Sequence, residues 1–496
     1  MIINPAQRFS SRHKIPDKAE VVIVGAGMAS LSAAAILAGK GKEVLVLERN
    51  YLPGGCASSY KRKDYIFESG ATTLVGLDAG MPLRLILDET GIDFNYRKLE
   101  IPMRVMLSNG TMLTRYNDIE QWIAEAERVF GVKGQRKFWL SCYRISKKVW
   151  NASGRHLYFP PAGAGDLFRM ALNSRISDFS LLPYFNKTLR SLLLELGLAE
   201  NELFLDFIDE QLLITAQNKH TDVDVLFGAT ALCYTLFGNY YADGGLIEMA
   251  GAFVKYIERQ GGKVINRAEV TRITRHPNRF VLESSLGTIE SKAVISGIPL
   301  NNFVKLIHNY NQFKPISTRE SSELFSAFQA GIVFRSHPPV GCLHYQIHVS
   351  GLPGLPACRS FFVSFSHPED RSRSEEGLTV ASVSLHIPDP LNSNIEKSLI
   401  LEAVLLKLEE VLLIRKEDIV YMHASGPEEW ETWTGRYAGF VGGYPQTLKT
   451  KPWNMQKSVV SPGLFVCGDS VYPGQGIPGV SLSGRIAATR VLDYLK

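Results

Sequence analysis

The alternation of apolar and polar positions divides the chain into short, fully apolar runs and longer amphipathic ones. Residues 20–27, EVVIVGAG, form a continuous apolar run ending in glycine, which reads as a strand buried on both faces. Residues 28–41, MASLSAAAILAGKG, follow as an alanine-rich helix stopped by Gly39 and Gly41. Residues 43–50, EVLVLERN, are a second buried strand with an acid at its end. Strand, helix and strand within ~30 residues predict a βαβ unit with parallel strands.

Downstream the pattern changes. From 91 to about 240 it predicts mainly helix, rich in aromatics and broken by YFPPAGAGD at 158–166. The uncharged run 225–242 is long enough to suggest a membrane span. Its two glycines, two threonines, asparagine and three tyrosines favour a buried helix followed by a loop. The most regular helix lies at 244–262, with Leu246, Met249, Ala250, Phe253, Val254 and Ile257 on one face and Gly261-Gly262 at its end. Residues 263–273 and 279–297 read as strands joined by tight turns. Strand-like runs at 327–336, 343–349, 360–366 and 378–387 predict an antiparallel or mixed sheet, and a helix follows at 395–413. The chain closes on a short buried strand, GLFVCGDS at 463–470, and a helix at 479–495. No internal repeat or low-complexity segment interrupts this order.

Composition narrows the class. A net charge of +5 and no basic tract longer than YKRKDY at 60–65 exclude a nucleic-acid partner, although a mild basic bias suits an anionic membrane surface. Cys56, Cys142, Cys233, Cys342, Cys358 and Cys467 contain no CxxC pair, which argues against a zinc site or disulfide framework and for a reducing compartment. The first twenty residues lack the apolar core of a signal peptide and read as a polar lead-in, so a cytoplasmic location is expected.

Two glycine patterns then compete for a nucleotide. At the N-terminal turn Gly25-x-Gly27-x-x-Ser30 lacks the third glycine, which serves only close helix–strand packing and which a small serine can replace. Gly25 permits the tight turn, and Gly27 lets backbone approach a pyrophosphate at the helix N-terminus. Glu48 ends the second strand where a carboxylate accepts bonds from a ribose 2′-hydroxyl, with Arg49 beside it. The complete pattern Gly474-x-Gly476-x-x-Gly479 lies near the end of the sequence, with room after it for one helix and no strand. It therefore opens no second nucleotide fold. A strand ending in Gly468-Asp469 would instead offer a carboxylate to the hydroxyls of a cofactor seated on the first site. The helix from Val480 would aim its N-terminus at that cofactor, as suits a flavin that becomes anionic on reduction. Both stretches then serve one molecule, FAD, unless the second is a plain surface loop.

The stretches VVIVGAGMASLSAA, LERNYLPGGCASSYKRKDYIFESGATTLVGL, YADGGLIEMAGAFVKYIERQGGKV, GRYAGFVGGYPQT and GLFVCGDSVYPGQGIPGVSLSGRIAATRVL occur in that order. Together they resemble the carotenoid desaturase/isomerase family of FAD-dependent oxidoreductases. PGGCAS, SGATTLVGL and FIDEQLLITAQ look most like its 3,4-desaturase branch. The resemblance implies an α/β fold: a discontinuous Rossmann-type FAD-binding domain with a parallel sheet (18–90, 240–300 and 455–496) and an α+β substrate domain (91–239 and 301–454). The latter would carry a mixed or antiparallel sheet and a helical cap. It places the backbone of Gly25, Ala26, Gly27, Met28 and Ala29 on the pyrophosphate, Glu48 (with Arg49 beside it) on the ribose, and Gly54, Gly55, Cys56 and Ala57 along the ribityl-phosphate arm. Val270 would pair with adenine, Gly468-Asp469 would hold the pyrophosphate or ribityl side, and Gly479-Val480 would face the flavin ring. Ser30 and Cys56 depart from the family pattern, and so does CYTLFGNYYADGG at 233–245, where the substrate tunnel would run.

The implied reaction is desaturation of a lipophilic polyene, a carotenoid, by hydride transfer to flavin N5, with quinone or oxygen as the final acceptor. Because the polyene itself delocalises the developing charge, no strong protein base is required and no catalytic side chain is nominated. Redox-neutral cis–trans isomerisation and saturation of the retinol saturase type are the alternatives on the same fold. A non-catalytic prenyl-lipid escort is the alternative of another class. His344 and His348 have ligand-like spacing but share one strand face, which reads as core or tunnel lining rather than metal site. Tyr240, Tyr241, Phe440 and Tyr444 are candidate tunnel aromatics. Residues 167–194 combine four basic residues, one acid and many apolar ones, so the helical part at 160–200 either meets a membrane surface peripherally or caps the core.

Overall fold

The strand Lys18–Val24 lies inside an eight-stranded sheet. It pairs in parallel with Val44–Glu48 on one side and Gly287–Ser296 on the other, and Lys263–Asn266 extends the sheet beyond Val44–Glu48. The long strand Gly287–Ser296 has two partners. Its first half continues antiparallel into Arg279–Ser284 and Val270–His276, and its last residues take Leu464–Val466 in parallel. Lys18–Val24, Val44–Glu48, Leu464–Val466 and the second half of Gly287–Ser296 are apolar on both faces, as the covered centre of a sheet requires. Val270–His276 and Arg279–Ser284 instead leave one face to solvent. This computed structural model describes residues 4–9, 14–310, 313, 315–335, 341–449 and 452–496. Part of the polar lead-in, and Ser336 at the end of the predicted strand 327–336, lie outside them.

Helices Met28–Gly39, Ile247–Arg259 and Ile477–Tyr494 cover one face of this sheet, their apolar residues merging with Val21, Ile23, Val44 and Val46 in one core. A second, seven-stranded sheet runs in the order Ile419–Ser425, Phe325–Phe334, Thr379–Pro388, Ser360–Phe365, His344–His348, Met103–Met106 and Met112–Arg115. It is mixed, since His344–His348 runs parallel to Met103–Met106 while its other pairs are antiparallel. Helix Lys397–Leu412 packs Ile400, Val404 and Leu408 against this sheet. Helices Ile119–Phe130, Gln135–Arg155, Glu202–Ala216 and Val225–Leu232 build a separate aromatic core.

The structure corrects the sequence reading in four places. Residues 91–240 are mainly helical as expected, but Met103–Met106 and Met112–Arg115 form a hairpin, missed in the sequence, that joins the second sheet. Strands of four residues are too short for their alternation to stand out from helical periodicity. The uncharged run resolves into helix Val225–Leu232, a 3-10 turn at Tyr234–Leu236 and strand Asn239–Ala242. Among the described residues no helix is long and apolar enough to cross a membrane. Strand Ile419–Ser425 and helix Pro427–Thr434 had no counterpart in the pattern. The last helix begins at Ile477, so Gly479 and Val480 lie inside it rather than at its start.

Candidate cofactor and substrate site

The N-terminal turn is built by backbone. Gly25 takes φ +88°, which an L side chain rarely adopts, and its N–H donates to Leu47 O at 2.8 Å. Gly27 caps helix Met28–Gly39, and a Cβ added there would meet nothing within 4 Å. That open space is the close approach an anionic group needs at a helix N-terminus. Gly54 bridges to Gly27, its N–H donating to Ala26 O, and this brings the loop of Gly54, Gly55, Cys56 and Ala57 alongside.

Glu48 sits at the centre. Its carboxylate accepts from Ala26 N at 2.6 Å and Asn50 N at 2.7 Å. Burial raises its pKa, and those two N–H groups oppose the shift. A carboxylate has about four acceptor positions, so two remain for ribose hydroxyls.

The C-terminal strand reaches the same place from the far end of the sequence. Cys467 N donates to Ser296 O and Gly468 N to Ser483 Oγ at 3.1 Å. Helix Ile477–Tyr494 packs so closely on Met28–Gly39 that a Cβ at Gly484 would stand 2.1 Å from Ala29 O. Ser30 meets the matching constraint at Gly297, where a Cβ would clash with its Oγ. The close packing normally given by a third fingerprint glycine is thus supplied by Gly297 and Gly484. Asp469 pairs with Arg436 Nη2 at 2.9 Å, both side chains being largely buried. Arg436 also donates to Phe440 O and Gly442 O and stacks on the Phe440 ring. Cys56 lies beside this pair: burial pushes its thiol up, and the Arg436 guanidinium opposes the shift.

One cavity of about 910 Å³ joins all of this. Gly25, Gly27, Met28, Ala29, Glu48, Gly54, Gly55, Cys56, Ala57, Gly468, Asp469, Gly479 and Val480 line it. Ala26, Arg49 and Val270 do not. The Ala26 backbone is consumed by Glu48 and Gly54, so it has no N–H left for a pyrophosphate. Arg49 turns away to Thr432 O and Glu269. Val270 is held at a bulge opposite Ser284. The sequence reading missed Arg436, Trp430, Trp433, Asn50 and Thr72, which line the cavity too. Arg436 was findable, because it is followed by twelve residues without a charge, and so were the tryptophans, spaced i, i+3 on helix Pro427–Thr434. The indole N–H of Trp430 is buried without a partner, as fits a group that brings acceptors.

The cavity continues past the glycines into an apolar arm. Trp150, Phe159, Phe227, Tyr234, Phe237 and Phe362 supply the aromatic lining there. The four expected aromatics do not contribute. Tyr240 bonds Asp78, Tyr241 bonds Asp370, and Phe440 and Tyr444 stack in the core. His344 stands one side chain behind the wall. Its Nδ1 meets Ser364 Oγ at 2.7 Å, and Ser364 donates to Thr72. Burial drives its pKa down to about 4. Among the described residues no group of histidines, cysteines and carboxylates could hold a metal.

A glycine-turn cradle, an acid beside it and an apolar arm in one cavity suit an α/β protein that holds a dinucleotide cofactor. Residues 28–492 match the flavin containing amine oxidoreductase family, and the chain belongs to it. Its cofactor is FAD. Prolycopene isomerase 2, chloroplastic, from an Oncidium hybrid cultivar is 26% identical over 498 residues, spanning 95% of this chain and 83% of its own. All-trans-retinol 13,14-reductase of Homo sapiens is 28% identical over 276 residues, 54% of this chain and 44% of its own. An oxidoreductase from Methanosarcina mazei shares the fold with a TM-score of 0.64 at 17% identity, covering 96% of this chain and 100% of that one.

Proposed function

We propose that this FAD enzyme rearranges a double bond of a conjugated polyene, with net cis–trans isomerisation as its reaction. The observation that carries the reading is the continuity of one cavity from the FAD cradle into an aromatic-lined apolar arm. Isomerisation stands ahead of the expected desaturation because prolycopene isomerases match nearly the whole chain. FAD, when bound, supplies a reversible hydride acceptor. The protein's own residues hold the polyene in line and keep water out, and the polyene spreads the charge.

The mouth of the arm supports peripheral contact with a membrane. Met170, Phe179, Leu182 and Phe185 line the cavity, and around them Leu167, Phe168, Leu172 and Ile176 are exposed, Ile176 to 91%. Basic Arg175 and Arg190 belong to the same segment. A polyene would pass from lipid to the arm through this patch.

The test is anaerobic incubation of FAD-loaded protein with candidate polyenes, read by chromatography and mass. An unchanged mass with altered double-bond geometry is the expected result. Loss of two hydrogens, with transfer to quinone or oxygen, would replace isomerisation by desaturation, and gain of two by reduction. Failure to convert any polyene overturns the reading.

A further inference from the structure

The arm is apolar on its helical side, but its floor is polar. Register places Gln329 opposite Ser384, Ser384 opposite Phe362 and Phe362 opposite Gln346, and all four line the cavity. His386, opposite Ala327, lies on the same face two residues along. Above it Gln217 ends helix Glu202–Ala216 in a left-handed conformation and is only 3% exposed. Gln217 Nε2 and His386 Nε2 approach to 3.4 Å, and Gln217 Oε1 is buried without a partner. Both side chains line the cavity where the arm meets Gly442 and Asp469.

We infer that Gln217 and His386 form a recognition site for a hydroxyl group, so that the polyene substrate carries an alcohol. This rests on the polyene reading and narrows it. A hydroxyl both donates and accepts, so one group can fill Gln217 Oε1 and take a bond from the neighbouring donor. Burial holds His386 neutral, its pKa lowered to about 4, so its ring offers one donor and one acceptor rather than two donors. Exchanging the oxygen and nitrogen of the Gln217 amide leaves a donor over instead of an acceptor, which a hydroxyl satisfies equally well. A carboxylate would bring a charge with no partner, because Arg436 is already committed to Asp469. A hydrocarbon would leave Gln217 Oε1 without a partner, which a site built for hydrogen bonding penalises.

The experiment compares two polyenes of equal conjugated length, one ending in a hydroxyl and one in a methyl group, bound to FAD-loaded protein and followed by their absorption bands. Wild type is expected to favour the alcohol by about 100-fold, the upper end of what one unsatisfied buried polar group costs. The double variant Gln217→Leu, His386→Phe is expected to bring the two within a few-fold while retaining wild-type FAD content. Equal binding of both polyenes to wild type overturns the inference without any variant. A preference that survives the double substitution, or loss of FAD from that variant, also overturns it. If wild type binds neither polyene, the polyene reading itself falls.

Discussion

Gly27 offers a perturbation whose effects on fold and on cofactor have opposite signs. Its φ of −68° and ψ of 165° are open to any residue, and an added Cβ meets no protein atom. Serine at a helix N-cap is also a better cap than glycine, by a few tenths of a kcal/mol. Gly27→Ser is therefore expected to leave the flavin-free protein as stable as wild type or slightly more so. The same side chain fills the open space beside the helix N-terminus, and its hydroxyl competes for the N–H of Ala29 or Ser30. A hydrogen bond to a charged group contributes about 1.5–3 kcal/mol, so losing one or two weakens FAD by about 3 kcal/mol, on the order of 100-fold. Gly25→Ser is the control. At φ +88°, with Ile298 Cγ2 at 3.0 Å from a Cβ, it is expected to lose fold stability as well. Urea unfolding of flavin-free protein and fluorescence titration with FAD measure the two quantities separately. The reasoning is refuted if flavin-free Gly27→Ser loses more than about 1 kcal/mol, or if it binds FAD as tightly as wild type.

Arg436→Met strands the buried Asp469 carboxylate and is expected to cost about 3–5 kcal/mol in urea unfolding, with part recovered by adding Asp469→Asn; independence of the two would contradict the pairing. His344 is held neutral at a folded pKa of about 4, below its unfolded value near 6.5. Its contribution of about 3 kcal/mol is full above the unfolded value and lost as pH falls toward 4. His344→Asn should accordingly flatten the pH dependence of stability by one proton's worth across that window. Leu172→Glu with Ile176→Glu should reduce flotation with anionic vesicles by at least 10-fold and leave FAD content untouched, since both side chains point to solvent.

What the sequence made legible was whatever rests on local backbone demands. The run ending in Gly25 announces a strand buried on both faces, and Glu48 follows from its place at the next strand end. The C-terminal glycines were legible as a loop because a short apolar run ending in Gly468-Asp469 precedes them. Long-range partners were not legible in that way. Nothing near Arg436 in sequence reveals that Asp469 neutralises it, and nothing near Ala26 shows that Glu48 consumes its N–H. Aromatic residues misled because Tyr240 and Tyr444 look the same in sequence whether they face a core or a cavity. Met103–Met106 was lost for another reason: its pairing with His344–His348 lies far along the chain, and four residues carry little periodicity of their own.

The strand Leu464–Val466 and the helix that presses Gly484 onto Ala29 have a consequence for biogenesis. While a ribosome is still translating the preceding segments, Gly287–Ser296 presents an unpaired edge and the first helix an uncovered flank. The FAD cradle is therefore completed only once these two later elements have been made, and until then the half-finished layer is a natural client for chaperones.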